Sequence, residues 1–137
     1  DNVNSLLAYL RHYISDFFAP TEINVNIDFQ EDESNSAIHP MVRRNLMLII
    51  KESCNNIIKH SGATAVDVKC KIENNFLKLI ISDNGKGSTS AGSFFGNGLK
   101  NIRKRVHEIN GNLKTETSLN NGFHIYITCP LQNITLK

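Results

Sequence analysis

Two pairs of short alternating segments, each closed by an asparagine-rich turn, constrain this 137-residue chain more than any other feature. Val66, Val68, Cys70 and Ile72 alternate with Asp67, Lys69 and Lys71, and the turn at Glu73, Asn74 and Asn75 feeds a second strand over 76–82. Residues 113–118 and 123–129 repeat the arrangement across Asn120, Asn121 and Gly122. Alternation of this kind belongs to strands covered on one face only, so the chain predicts hairpins of a sheet with one wet side. Ile23, Val25, Ile27 and Phe29 alternate with Asn24, Asn26 and Asp28 and supply a further strand.

Between the strands the apolar period changes from two to that of a helix. Leu6, Leu7, Leu10, Ile14, Phe17 and Phe18 form one stripe that Pro20 ends, and a second helix runs from Pro40 through Lys59. Leu99, Ile102, Val106 and Ile109 mark a third, stopped by Asn110 and Gly111, two residues that tolerate the left-handed conformation. The order helix, strand, helix, hairpin, loop, helix, hairpin predicts an α+β fold. It is a two-layer α/β sandwich with a mixed, largely antiparallel sheet covered by helices on one face. A doubly wound parallel sheet would instead show continuous apolar runs.

A chain of this length at 40% hydrophobic residues makes one domain that buries about two thirds of its unfolded surface. The formal charge of +2 is scattered apart from Arg103, Lys104 and Arg105, which leaves no footprint for direct nucleic-acid binding. Cys54, Cys70 and Cys129 are odd in number, form no CxxC pair and sit among apolar neighbours, as in a reducing, cytoplasmic setting. No apolar run approaches the roughly 20 residues of a membrane span, and no signal-peptide layout opens the chain. The expectation is a soluble domain, compatible with excision from a longer, membrane-anchored parent.

The chemistry concentrates in three places. In the stretch KESCNNIIKHSG, helical spacing puts Leu46, Ile49, Ile50, Ser53, Cys54 and Ile57 on one broad face and Glu52, Asn56 and Lys59 in a narrow arc beside it. A solvated helix edge is the bland account, but Asn is a mediocre helix former, and two in succession, Asn55 and Asn56, call for a compensating use. An amide oxygen suits Mg²⁺, an amine suits phosphate, and a carboxylate suits proton transfer or orientation. The second place is DNGKG at 83–87, where Asp83 ends an apolar strand and can accept a hydrogen bond from an exocyclic amine such as that of adenine. The third is GNGL at 96–99, which opens a helix whose free N–H groups make an anion site. Each motif alone is an ordinary turn. A Walker-type GxxxxGK[ST] sequence is absent.

Together these motifs resemble the ATP-binding domain of the GHKL superfamily, the Bergerat fold of sensor histidine kinases, DNA gyrase, MutL and a class of heat-shock chaperones. KESCNNIIKHSGA is similar to the N box, DNGKG to the first glycine box, and GNGLKNIRKRVHEINGNLKTETSLNNGFHIYITCPL to the second box and everything after it. GLxxIRxRVxxIxG is most similar to the histidine kinases that pair with NarL-type response regulators. The resemblance covers the chain from about Ile23 to Leu131.

It implies that Glu52 is the catalytic polarising base or orienter, that Asn56 ligates Mg²⁺, and that Lys59 contacts phosphate. It implies further that His60 borders the nucleotide, Asp83 binds the adenine amine, and Gly85 and Gly87 shape the pocket. Gly96 and Gly98 would admit the phosphates of ATP, with Leu99 behind them. Residues 88–95 correspond to a mobile ATP lid, with Phe94 and Phe95 placed either to tether it when closed or simply to anchor in the core. Residues 1–20 correspond to the end of a dimerisation and phosphoacceptor domain, and 21–137 to the catalytic domain.

The chain departs from the pattern at Phe123, where many relatives have Thr, and at Asn110, where a glycine pair usually starts. His12 lies too near the catalytic part to be the phosphoacceptor. His39, His107 and His124 have no metal-ligand partners at a recognisable spacing and receive no role. The implied protein is a homodimeric two-component histidine kinase whose acceptor His lies on a helical domain absent from this chain. The rival is a nucleotide-dependent partner-binding switch or anti-sigma-factor-like serine kinase of the same superfamily; a third reading, a structural domain with a vacant pocket, predicts no response to ATP.

Overall fold

A computed structural model of the chain describes residues 1–87 and 97–132. Gly96 and the expected lid at 88–95, with Phe94 and Phe95, lie outside them. The elements run α1 (Val3–Phe18), β1 (Asn24–Phe29), α2 (Pro40–Asn56), a π-helical turn (Ile57–Ser61), β2 (Ala65–Glu73), β3 (Phe76–Asp83), α3 (Asn97–Glu108), β4 (Asn112–Thr117) and β5 (Phe123–Pro130).

The five strands form one sheet in the order β1-β2-β3-β5-β4. β1 and β2 are parallel because α2 carries the chain back between them, and the other three pairs are antiparallel. The mixed, largely antiparallel sheet is the one predicted. Both hairpins close as their sequences require: Asn74 and Asn75 adopt φ of 53° and 64°, the left-handed pair that matches strand twist. Asn120 (63°) and Gly122 (75°) do the same work in the second turn.

Alternate strand residues and one stripe of each helix meet in a single core. Leu77, Leu79 and Ile81 of β3 and Ile125, Ile127 and Cys129 of β5 face Leu46, Ile49 and Ile50 of α2 and Ile102 and Val106 of α3 within it. α1 belongs to the same core through Leu6, Leu10, Ile14 and Phe18, and its start is fastened to the loop before α2 by the Val3 N–H donating to the Ser36 carbonyl at 2.9 Å. At about 25 cal/mol per Å² of apolar surface removed from water, each such fully buried Leu or Ile contributes roughly 1.5–3 kcal/mol. All three cysteines are buried and unbridged, and burial pushes their thiols up to about 12, so they pack as inert hydrophobes.

The second helix departs from the expectation at its end. The α-helical part stops at Asn56, and Lys59 and His60 lie in the π-helical turn instead of continuing the arc of Glu52 and Asn56. The cause is local: Ser61 Oγ donates to the Ile57 carbonyl at 2.8 Å and takes the acceptor that a regular helix would give to the Ser61 N–H. The backbone widens by a residue, and Gly62 at φ 64° ends the turn in the left-handed conformation. The widened turn leaves Ile57 buried and Ile58 45% exposed. At the end of α3, Asn110 is the left-handed residue (φ 55°), and Gly111 is needed for a different reason, since a Cβ there would press on the Val106 side chain.

A candidate nucleotide site at the ends of α2 and β3

Asp83 is the last residue of β3 and continues the inward alternation of Leu77, Leu79 and Ile81, so the pleat places its carboxylate on the helix side of the sheet. It is 5% exposed. Its Oδ1 accepts the Gly85 N–H at 2.8 Å. Burial pushes the carboxyl above the usual carboxylate range, opposed by the N–H groups of Gly85 and Phe123 and by the nearby His124. Phe123 therefore contributes to this carboxylate through its backbone.

The turn after Asp83 is sewn to both neighbours. Asn84 Oδ1 accepts the N–H groups of Thr64 and Ala65, each at 2.9 Å, and its amide donates to Thr64 Oγ1 at 2.9 Å. The Lys86 N–H donates to the Ser61 carbonyl at 2.8 Å, which ties the turn following Asp83 to the turn following Asn56. On the other side the Gly122 N–H donates to the Gly85 carbonyl at 2.9 Å, and the Asn120 N–H to the Lys86 carbonyl at 2.6 Å. Gly85 has ordinary φ but no room for a side chain, because a Cβ would overlap the Ser61 carbonyl oxygen. Gly87 needs the positive φ of 60° itself.

Across from this end stand the residues of α2 and its π-turn. Asn56 is 8% exposed, and its amide meets no hydrogen-bond partner among the described residues. Among the described residues the fully buried side-chain atoms without a partner are Arg43 Nε and Ser53 Oγ, not the Asn56 amide, whose oxygen suits a cation and whose nitrogen suits a ligand oxygen. Lys59 is exposed and makes no ion pair among the described residues. His60 is half-buried in the same turn.

The third wall is α3. Gly98 lies in its first turn, where the leading N–H groups have no helical acceptor, and Leu99, 3% exposed, pins that turn to the core. Glu52 is half-buried and leans toward this helix, its Oε1 accepting from Asn101 Nδ2 at 3.4 Å. Farther along, buried Asn45 donates to the Arg105 carbonyl at 2.9 Å and to Glu108 Oε1 at 3.0 Å, locking α3 onto α2.

Of the residues singled out in the sequence, Asn56, Lys59, His60, Asp83, Gly85 and Gly87 thus line adjoining turns, and Glu52, Gly98 and Leu99 line the α2–α3 side. Sequence reasoning missed Asn84, Asn45 and Gly122. Asn84 carried a signal, since an Asx residue inside a DNG turn commonly bonds backbone nearby. The role of Gly122 depends on a close approach to the Asp83 carbonyl, which no local pattern shows.

Similarity to known proteins decides the class. Residues 41–133 match the family of histidine kinase-, DNA gyrase B- and HSP90-like ATPases. The chain belongs to that family. It is 31% identical over 108 residues to the sensor histidine kinase YvfT of Bacillus subtilis, covering 79% of this chain and 28% of that protein. It is 32% identical over 109 residues to the sensor histidine kinase LiaS of the same organism, covering 77% of this chain and 29% of LiaS. The chain thus spans less than a third of the length of these relatives.

The fold is shared with a histidine kinase domain from the Erythrobacter litoralis blue-light activated histidine kinase. That match has a TM-score of 0.77 at 18% identity and covers 92% of this chain and 61% of that one. The catalytic domain of histidine kinase ThkA gives a TM-score of 0.73 at 16% identity, with 96% and 94% covered.

Proposed function

We propose that the chain is the catalytic portion of a two-component sensor histidine kinase, holding ATP and presenting its γ-phosphate to a His on a helical domain outside this chain. The observation that carries the reading is the bond from the Lys86 N–H to the Ser61 carbonyl, which ties the turn after Asn56, an amide with no hydrogen-bond partner among the described residues, to the turn beyond buried Asp83. Asp83 takes the exocyclic amine of adenine as a hydrogen-bond acceptor, and its burial excludes water that would compete for that bond. Gly85 and Gly87 keep the floor free of side chains. Lys59 and the free N–H groups around Gly98 face the phosphates, and Gly96 belongs with them by its place in the motif.

Asn56 fits Mg²⁺: its amide oxygen is a hard ligand, and magnesium takes few protein ligands when phosphates complete its shell. When bound there, Mg²⁺ supplies neutralisation of phosphate charge. Glu52, held toward α3 by Asn101, orients or deprotonates the attacking group. Catalysis in such a site is positioning and charge stabilisation, as phosphoryl transfer generally requires.

Residues 1–20 are assigned to the junction with the dimerisation and phosphoacceptor domain. α1 shares the core of the catalytic part, so that junction is a packed one. The parent is read as a cytoplasmic-facing homodimer, its receiver a response regulator of NarL type, a preference supported by GLKNIRKRVHEING alone. No helix among the described residues is long and apolar enough to cross a membrane.

The test is calorimetric titration with a non-hydrolysable ATP analogue, with and without Mg²⁺, for the native chain and Asn56→Ala. The native chain should bind more tightly with Mg²⁺, and the variant should lose that increment. Radiolabel transfer from ATP to the parental helical domain, supplied in trans, tests the kinase step itself.

A further inference from the structure

The two fully buried side-chain atoms without a hydrogen-bond partner among the described residues, Arg43 Nε and Ser53 Oγ, differ in circumstance. Arg43 Nε still faces the Asp1 carboxylate at 4.0 Å. Ser53 has nothing equivalent. It is 3% exposed, and a serine inside a helix ordinarily returns its hydroxyl to a carbonyl one turn back, which this one does not do. A buried hydroxyl left unpaired opposes folding, so its place in the fold needs a reason.

The course of α2 fixes what this hydroxyl faces. Just before α2 the His39 N–H donates to the Leu131 carbonyl at 2.9 Å, and the Leu131 N–H donates at 3.1 Å to the carbonyl of Asn75, just before β3. At the far end the Lys86 N–H, beyond β3, reaches the Ser61 carbonyl, beyond α2. α2 therefore runs along β3 in the same direction, and the two match in length, about 26 Å for 17 helical and for 8 extended residues. Ser53 stands roughly 5 Å before the end of α2, level with the last residues of β3. Around the helix, Glu52 leans to α3 through Asn101, and Lys51 lies 5.4 Å from the Tyr13 ring of α1. Ser53 shares the remaining side, which faces the sheet, with Leu46 two turns earlier. The inward side chains at that level are Ile81, Asp83, Phe123 and Ile125, and Asp83 is the polar one among these four. Ser53 Oγ makes no bond to it.

An ionised carboxylate only accepts, so Asp83 can read the exocyclic amine of adenine but not the ring nitrogen beside it, which is itself an acceptor. That nitrogen needs a donor. We infer that Ser53 supplies it: the hydroxyl donates to this ring nitrogen, directly or across one ordered water, which makes Ser53 a specificity-determining residue at the base end of the site. Guanine reverses both groups, with a carbonyl oxygen where adenine has the amine and an N–H where adenine has the acceptor. Its carbonyl would face the Asp83 carboxylate, and the pair of Asp83 and Ser53 thus selects adenine. The inference rests on the nucleotide reading proposed above and adds a residue to it.

The test is calorimetric titration of the native chain and Ser53→Ala with adenosine and with 1-deazaadenosine, which keeps the amine but carries C–H in place of the ring nitrogen. The native chain should bind 1-deazaadenosine about 5- to 10-fold more weakly than adenosine, the value of one hydrogen bond. Ser53→Ala should lose a similar factor toward adenosine and discriminate less than about twofold between the two ligands, because each change removes the same bond. Its ligand-free melting temperature should be no lower than native, since the group removed was unpaired. Ser53→Cys, close in shape and a weak donor, should follow Ser53→Ala and gives the same comparison where Ala loosens the packing.

A Ser53→Ala or Ser53→Cys variant that keeps the native preference for adenosine over 1-deazaadenosine overturns the inference and leaves the nucleotide reading standing. A lowered melting temperature with that preference intact assigns Ser53 to packing alone and overturns it equally. A native chain that binds neither nucleoside removes the nucleotide reading itself, and this inference with it.

Discussion

The two ends of the candidate site are built on opposite principles. At the β3 end, Asp83 is buried, its turn is bonded to the β4–β5 turn on one side and to the loop before β2 on the other, and three glycines, Gly85, Gly87 and Gly122, sit where a methyl group would collide with a carbonyl. At the α2 end, Asn56 has no hydrogen-bond partner and Lys59 no ion pair among the described residues, and the helix has widened into a π-turn. The first is closed by bonds within the chain, and the second leaves the Asn56 amide and the Lys59 amine without such bonds among the described residues. A site divided in this way can recognise a base with a fixed surface while leaving the phosphate end to be organised by what binds there.

The largest effect should come from disturbing the fixed end. Gly122→Ala forces a Cβ onto the Asp83 carbonyl at a φ of 75°, and Gly85→Ala forces one onto the Ser61 carbonyl. Each should cost about 3 kcal/mol through overpacking and strain. For a domain of this size that lowers the melting temperature by on the order of 10 °C. Equal melting temperatures for these variants and the native chain would show that the turn is loose, and the contrast between the two ends would disappear.

Asp83→Asn should weaken nucleotide binding by roughly 10- to 100-fold, the value of a hydrogen bond to a charged acceptor, without unfolding the domain. The pH dependence sharpens this. A carboxyl whose folded pKa is raised by burial favours its protonated form in the native state, so its contribution to stability is fully present below the unfolded value and is lost as pH rises through the folded value. Nucleotide affinity should run the opposite way and fall with acidification through the raised range, because the protonated carboxyl is a poorer acceptor. Titrations across pH would detect both trends, and the binding trend should be absent in Asp83→Asn.

Asn45→Ala probes the seam between α2 and α3 and should cost about 1–3 kcal/mol, because the Arg105 carbonyl loses a buried donor. Chemical denaturation would measure it. The smallest effect belongs to the open end. Asn56→Ala removes an amide that makes no hydrogen bond among the described residues, so the apo domain should melt within about 2 °C of native.

The architecture was legible where local pattern and long-range pairing agree. Period-two strands, asparagine turns and the stripes of α1 and α3 could be read directly, since the same residues that favour each element also bury it. The π-turn was not legible, because NNIIKHSG continues the helical pattern and only the Ser61 hydroxyl, acting on Ile57, redirects the backbone. Asp83, Gly85 and Asn56 were legible as chemistry. Their company was not: Asn84 and Gly122 act through contacts with segments about 20 and 40 residues away.

The most direct test of the central claim is a calorimetric cycle comparing adenosine with an ATP analogue, with and without Mg²⁺, in the native chain, Asp83→Asn and Asn56→Ala. If the two ends belong to one nucleotide cleft, Asp83→Asn weakens both ligands whether or not Mg²⁺ is present. Asn56→Ala leaves adenosine untouched and removes only the gain that Mg²⁺ gives the triphosphate. An Asn56→Ala variant that keeps that gain, or an Asp83→Asn variant that binds adenosine as tightly as the native chain, would contradict the account.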